Sequence, residues 1–309
     1  MYDTLDESIR FNKDEHHFYI NSGPIIDETK LMFPLSVSLQ VTRECNLNCE
    51  YCSEVGDMPT PPIATIKKMI SELVGAKRII ITGGEPLMRR DLLEVVRYAK
   101  EIHFETISLA TNGTLMTTSL AHYLRDLVDY VDVTLDGPRK IHNKIRGGYD
   151  EVIKGINALK TAGLSFSVVS VLFRENVNSI FYVCQMADVL GATKLKIMTP
   201  ITKGKGKNIA SEILSSHELK DVFQKIKSEK ERNGWMMRIS LTDWNKIGEG
   251  HAILVHPNGD VVASPVPSKE NCIDLLGNLL NENFQEIWKR YPYKKNHLNK
   301  YIEKSLYVC

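Results

Sequence analysis

At 309 residues the chain is long enough for one large α/β domain or two ordinary ones. A hydrophobic content of 43% and a charged content of 25% provide for a packed core under a solvated surface and argue against disorder. Lys plus Arg total 39 against 38 for Asp plus Glu, a formal net charge of +1, so the basic excess of a general polyanion binder is missing and nucleic acid is not an expected partner. No run approaches the ~18 consecutive apolar residues of a membrane span. Residues 1–20 mix charges throughout and contain no apolar h-region, so no secretory signal is expected and the expected location is the cytoplasm.

Taken in chain order, short β-branched runs alternate with longer amphipathic segments. Strands are predicted at 35–42, 77–83, 106–112, 131–137, 165–173 and 194–200. Helices are predicted near 63–75, 90–102, 116–128, 149–162, 177–190 and 216–231. Six β–α units in strict alternation imply a parallel sheet with right-handed crossovers, either an open doubly wound sheet or a partial barrel. Either way the site sits at the carboxyl ends of the strands. That edge receives the unusual residues: a Cys-rich loop after the first strand, GGEP after the second, TNG after the third, DG after the fourth and REN after the fifth.

The pattern changes near residue 205. A Gly/Lys loop with Lys203, Lys205 and Lys207 precedes a polar helix, and HAILVHPNGDVVAS reads as a hairpin turned at Asn258-Gly259. NENFQEIWKRY offers one more helix. The expected organisation is an N-terminal extension over 1–33, a partial (β/α)6 TIM-like barrel over 34–205, and a small α+β C-terminal extension over 206–309 rather than a seventh β–α unit.

Three of the six cysteines, Cys45, Cys49 and Cys52, stand as C-x3-C-x2-C within TRECNLNCEYCSE. Close thiolates in a reducing compartment suggest soft-metal ligation rather than disulfides. Structural zinc prefers four ligands in paired spacings, and no second CxxC or HxxxH follows. Three ligands on one loop suit a cubane that leaves one iron free.

This spacing, with Tyr51 just before the last cysteine, resembles the radical S-adenosylmethionine (radical SAM) superfamily. The resemblance implies that Cys45, Cys49 and Cys52 hold a [4Fe-4S] cluster whose unligated iron binds the amino and carboxylate groups of S-adenosyl-L-methionine. It further implies reductive cleavage of SAM to a 5′-deoxyadenosyl radical that abstracts hydrogen from a substrate. By the same resemblance Gly83, Gly84, Glu85 and Pro86 form the segment that holds the SAM amine. The residue types suit that use, since two glycines permit close backbone approach and Glu85 accepts from an ammonium. Thr111-Asn112-Gly113 resembles the family's TNG segment and places Asn112 near the ribose or methionine. The run from Thr134 to Pro138, then His142 to Gly147, resembles the SLDG…HDxxRG stretch of the peptide- and cofactor-modifying branch, so Thr134 and Arg146 inherit contacts to the SAM carboxylate. Tyr51 is expected at the adenine pocket, and Asp136 either as a turn former or as a ligand contact.

The segment HPNGDVVASPVPSKENCIDLLGNLLNENFQEIWKRY is similar to the start of a SPASM or twitch extension, here degenerate or truncated. Ser264 occupies the place of the usual auxiliary-cluster cysteine, and only Cys272 and Cys309 remain beyond helix residue Cys184. Two thiols do not hold a four-iron cluster unaided, so an auxiliary cluster is not expected. Cys272 is a candidate hydrogen-atom donor, with a small buried side chain as the plainer role. Cys184 is expected in the core, and Tyr291 and Tyr293 over substrate or within the extension. The expected function is a radical SAM enzyme acting on a peptide or a peptide-derived or cofactor-precursor substrate. The alternatives are a small-molecule dehydrogenase, decarboxylase or epimerase, or a non-catalytic iron–sulfur or zinc module. The expected electron donor is a flavodoxin or ferredoxin.

Overall fold

The computed structural model describes residues 9–13, 17–20, 33–244, 252–263, 275–291 and 306–309. Six predicted strands are present as β3 (Ser36–Gln40), β4 (Arg78–Thr82), β5 (Thr106–Thr111), β6 (Tyr130–Thr134), β7 (Phe166–Val171) and β8 (Lys194–Met198), each parallel to the next. Between them lie α1 (Ile63–Glu72), α2 (Leu92–Glu101), α3 (Thr118–Arg125), α5 (Tyr149–Ala162) and α6 (Ile180–Leu190). A further short helix, α4 (Arg139–Ile145), forms between β6 and α5, where no helix is predicted. Ahead of them β1 (Ile9–Asn12) and β2 (His17–Ile20) pair as a separate antiparallel ribbon.

The parallel run extends one unit beyond the predicted six. Helix α7 (Ser216–Asn233) leads into β9 (Arg238–Thr242), which pairs parallel to β8. This corrects the expectation that the C-terminal third adds no seventh unit. The unit is faint in the sequence because α7 buries only Leu219, Phe223 and Ile226, a narrow stripe on an otherwise charged helix. The predicted hairpin is β10 (Ala252–Val255) and β11 (Asp260–Ala263), but it does not stand apart. Strand β10 pairs parallel to β3 and so widens the same sheet at its other edge. Strand β12 (Leu275–Asn278) follows beside β11, β13 (Leu306–Val308) lies antiparallel to β9, and α8 is Phe284–Lys289. The eleven strands run β12-β11-β10-β3-β4-β5-β6-β7-β8-β9-β13, an α/β sheet left unclosed between β12 and β13.

Alternation along each strand divides the sheet into two faces. Val37, Leu39, Ile79, Ile81, Leu109, Val131, Val133, Val168, Leu195 and Leu241 are fully buried in the core cluster. The opposite face is half-exposed even on central strands, at Ser38, Ile80, Thr82, Asp132, Thr134, Val169, Lys196, Met198 and Thr242. Central-strand residues reach solvent only where nothing covers that face, so these positions line an open interior. Lower in it, Lys196 Nζ donates to both Asp132 oxygens at 2.7 and 2.8 Å and lies 4.9 Å from the Tyr130 ring centroid. Phe11 of β1 stacks on Tyr130 with centroids 5.9 Å apart, closing the interior at the amino ends of the strands. Among the described residues no helix is long and apolar enough to cross a membrane.

Helix α5 bears directly on the site above it. A Cβ on Gly155 would lie 2.1 Å from the carbonyl oxygen of Gly113, the turn residue after β5. Alanine favours a helix by about 1 kcal/mol over glycine, but overpacking against main chain costs typically about 1–3 kcal/mol or more. Gly155→Ala is therefore expected to be net destabilising, by about 1–2 kcal/mol, read as a lowered urea midpoint with an unchanged slope.

Candidate cofactor site at the carboxyl edge of the sheet

The loop carrying Cys45, Cys49 and Cys52 leaves β3 and is held by the turn after β4. Gly84 N donates to Thr42 O at 2.9 Å and Glu85 N to Glu44 O at 2.7 Å. A Cβ on Gly83 would meet Thr42 O at 2.5 Å, and one on Gly84 would meet Glu44 O at 2.3 Å. The two glycines thus let the β4 turn lie directly against the residues leading into Cys45. Cys45 is exposed, while Cys49 and Cys52 are half-buried. Burial pushes the Cys45 and Cys49 thiols up, and Arg146 opposes the rise at both. Among the described residues no three His, Cys, Asp or Glu side chains converge as a site for one metal ion. Three soft donors spread on one loop, two of them under the influence of Arg146, fit a cluster several ångströms across better than a lone zinc.

Glu85 is placed differently from its expected contact with an ammonium group. It is fully buried, and both carboxylate oxygens accept from protein donors. Oε1 accepts from Thr111 Oγ1 at 2.6 Å and Leu87 N at 3.0 Å, and Oε2 accepts from Asn112 N at 2.7 Å. Burial raises its carboxyl while these donors oppose the rise. Glu85 is therefore the strut joining the ends of β4 and β5, and the segment's main-chain carbonyls are what remain to face an ammonium. Pro86 follows, buried, at the start of a short 3-10 turn. Asn112 is also committed: Nδ2 donates to Asn46 Oδ1 at 2.8 Å, and Oδ1 accepts from Thr114 N at 2.9 Å. Asn46, inside the cysteine loop, was not singled out in the sequence, although its position next to Cys45 is where such a contact must fall.

Across the edge, Asp136 gathers the opposite wall. The Tyr51 hydroxyl donates to Asp136 Oδ2 at 2.6 Å, and Arg146 Nη1 donates to the same oxygen at 3.2 Å and to the Tyr51 hydroxyl. Val171 N donates to Asp136 Oδ1 at 2.8 Å, and Asn176 Nδ2 donates to Asp136 O at 3.0 Å. With 0% of its side chain exposed, Asp136 is an internal anchor rather than a simple turn former. Tyr51 is correspondingly held by its hydroxyl, with Phe173 edge-on at 6.1 Å. The Arg146 side chain is 7% exposed, and its Nε is buried with no hydrogen-bond partner. The guanidinium charge favours the Cys49 thiolate, and the unpaired Nε is a donor that an anion would satisfy. Thr134 is half-buried on the interior face of β6, on the same side.

The ends of the cysteine loop meet charged residues that the motifs did not mark. Arg43 Nη1 pairs with Glu54 Oε2 at 2.6 Å, and Lys203 Nζ with Glu54 Oε1 at 2.8 Å. Burial would raise the Glu54 carboxyl, but Lys203 and then Arg43 hold it down at about 2. The KGKGK loop is a clasp on the cysteine loop. Lys205 N donates to Cys52 O at 2.9 Å, Lys205 Nζ reaches Asn48 Oδ1, and a Cβ on Gly204 would lie 2.6 Å from Ser53 O. Its two glycines were the available signal for such close approach. From the hairpin, His256 Nδ1 lies 2.9 Å from Gln40 Oε1 and 3.1 Å from Arg43 Nη2.

Cys184 is fully buried in the core as expected, its thiol pushed up to about 12 by burial. Cys309 is half-buried and continues the β9 pairing through reciprocal bonds with Ile239 at 2.9 and 3.0 Å. Its thiol is a neighbour of Cys184, away from the cysteine loop. Ser264, Cys272 and Tyr293 lie outside the described residues.

Residues 39–186 match the family described as the Radical SAM superfamily, and this stretch of the chain is a radical SAM superfamily domain. The chain is 31% identical over 198 residues to the AdoMet-dependent heme synthase of Oleidesulfovibrio alaskensis, covering 60% of this chain and 51% of that one. It is 28% identical over 286 residues to the mycofactocin maturase MftC of Mycolicibacterium smegmatis, covering 85% and 72%. In fold it is similar to Streptococcus suis SuiB bound to the precursor peptide SuiA, with a TM-score of 0.74 at 14% identity over 87% of this chain and 67% of that one. The chain spans about half the length of the heme synthases that it matches. The superfamily uses a [4Fe-4S] cluster and SAM.

The edge also carries a buried histidine with a measurable signature. His142 is 0% exposed, its Nδ1 accepts from Asp136 N at 3.2 Å, and burial lowers its pKa from 6.5 to about 4, with Arg146 adding to the fall against Asp136. The unfolded chain therefore takes up this proton first. Stability is full above pH ~6.5 and falls as the pH drops toward 4, by up to about 2–3 kcal/mol from this group. His142→Asn, which keeps an acceptor near Nδ1, is expected to flatten that slope in urea titrations between pH 7 and 4.5.

Proposed function

We propose that the chain is a radical SAM enzyme that binds one [4Fe-4S] cluster and SAM at this edge and acts on a peptide-derived substrate held in the open interior of the sheet. When bound and reduced, the cluster and SAM supply a 5′-deoxyadenosyl radical that removes a hydrogen atom from the substrate. Cys45, Cys49 and Cys52 are the thiolate ligands. Carbonyls of the Gly83–Pro86 segment accept from the SAM amine, while Glu85 holds that segment to β5. Arg146, kept in place by Asp136 and Tyr51, offers its unpaired donor to the SAM carboxylate, and Thr134 adds a hydroxyl beside it. Asn112 aligns the β5 turn with the loop through Asn46.

The observation that carries this reading is the buried, unpaired Nε of Arg146, whose guanidinium acts on the free thiols of Cys45 and Cys49 in the cysteine loop. A buried guanidinium donor without an acceptor costs free energy unless a ligand supplies one. The half-exposed interior face gives a substrate room and walls below the site. A peptide substrate is favoured over a porphyrin-like one because the match to the mycofactocin maturase extends through the C-terminal hairpin, whereas that to the heme synthase covers 60% of this chain. A flavodoxin or ferredoxin is the proposed electron donor.

Anaerobic reconstitution is expected to give iron and sulfide at the ratio of one cluster per chain, and dithionite with SAM to give 5′-deoxyadenosine. Cys45→Ala, Cys49→Ala and Cys52→Ala together should abolish both. Arg146→Met should keep the cluster and raise the SAM Kd roughly 10- to 100-fold, the loss of one charge-assisted contact. Zinc in place of iron, with no SAM-dependent product, would overturn the reading.

A further inference from the structure

The C-terminal hairpin meets the cysteine loop through a chain of polar contacts that no motif describes. Arg43 stands two residues before Cys45 and Glu54 two residues after Cys52, so their pairing at 2.6 Å closes the loop at its neck. Both side chains are largely withdrawn from water, at 9% and 15% exposure. Glu54 collects further donors from two elements distant in sequence: Lys203 beyond β8 at 2.8 Å, and the side chain of Gln40 at the end of β3. Gln40 is 2% exposed and His256 6%. His256 Nδ1 lies 2.9 Å from Gln40 Oε1 and 3.1 Å from Arg43 Nη2. The tautomer with a proton on Nδ1 donates to Gln40, gives up acceptance from Arg43, and leaves the Gln40 amide nitrogen for Glu54. Parallel pairing brings these residues together, since Val255 is paired with Leu39 and the next residues along are His256 and Gln40.

We propose that His256 is a positioning residue for the cluster loop, acting through Gln40 and the Arg43–Glu54 neck, so that the β10–β11 hairpin is a working part of the cofactor site rather than an appended lid. The consequence for the cluster rests on the reading given above. The contact itself does not, because the neck is assembled from protein groups alone. A partner that merely fills space beside β3 would be replaced by any apolar side chain of similar size, whereas a positioning donor is replaced only by another donor.

Hydrogen exchange on the full-length, metal-free chain tests this directly. In His256→Leu the Glu50 and Cys52 amides, bonded to Ile145 O and Cys49 O, should exchange about tenfold faster than in the parent chain, with β4–β8 unchanged. His256→Asn, which restores a donor near Nδ1, should return them to the parent rate. Lys203→Met releases Glu54 from the other side and should reproduce the leucine phenotype, which keeps the test decisive if the leucine variant does not fold. Equal exchange in parent, His256→Leu and Lys203→Met, or failure of His256→Asn to rescue, would overturn the proposal. In reconstituted protein, His256→Leu should also shift the midpoint potential and the EPR signal of the reduced cluster, with the asparagine variant matching the parent. If the parent chain holds no cluster, the proposed function fails while the exchange data still decide the role of His256.

Discussion

Three carboxylates withdrawn from water determine how the carboxyl edge is built, because each must draw its donors from whatever surrounds it. Glu85 takes its donors from the turn after β4 and the end of β5. Asp136 takes its own from the cysteine loop, from Arg146 after α4 and from the amide of Val171 at the end of β7. Glu54 takes its own from the segments that follow β8 and β3, through Lys203 and Arg43. An irregular loop has no ladder to hold it, so its shape is borrowed from these anchors. Arg146 retains an unused donor under the same constraint: Asp136 and Tyr51 both engage Nη1, and the buried Nε is left without a partner.

The two faces of the sheet divide the work. One is an apolar layer of Val, Ile and Leu packed under the helices, which is where the hydrophobic driving force resides. The other carries serines, threonines and the Lys196–Asp132 pair and stays open to solvent. Stability is thereby supplied from behind the strands, leaving the front free for chemistry. Gly155 shows how closely the two are joined, since a helix on the stable face rests directly on the turn that presents Asn112.

Much of this was legible in the sequence, because strict alternation of β-branched runs and amphipathic segments leaves few topologies. The cysteines, the glycine pair and the TNG turn mark strand ends, where side chains meet only if the strands are parallel. Two things were not legible. Pairing between β10 and β3 is a contact between distant segments, and nothing in HAILVHPNGDVVAS announces its partner strand. The protein partners of Glu85 and Asp136 were not legible for a related reason: they lie on other strands and loops, so the motif around each carboxylate does not name them. Strand β9 escaped because five residues, RISLT, with a charged helix before them, carry little periodic signal.

The insertion of β10 beside β3 has a consequence in time. His256 lies 216 residues from Gln40 and 213 from Arg43. The strands that bear the cysteines, the glycine turn and Asn112 can pair while the chain is still being made, since each contact there is between neighbours in sequence. The contacts of His256 with Gln40 and Arg43 form only once the hairpin has been made. Until β10 is made, the cysteine loop stands on a nearly finished parallel sheet without its contacts to the hairpin.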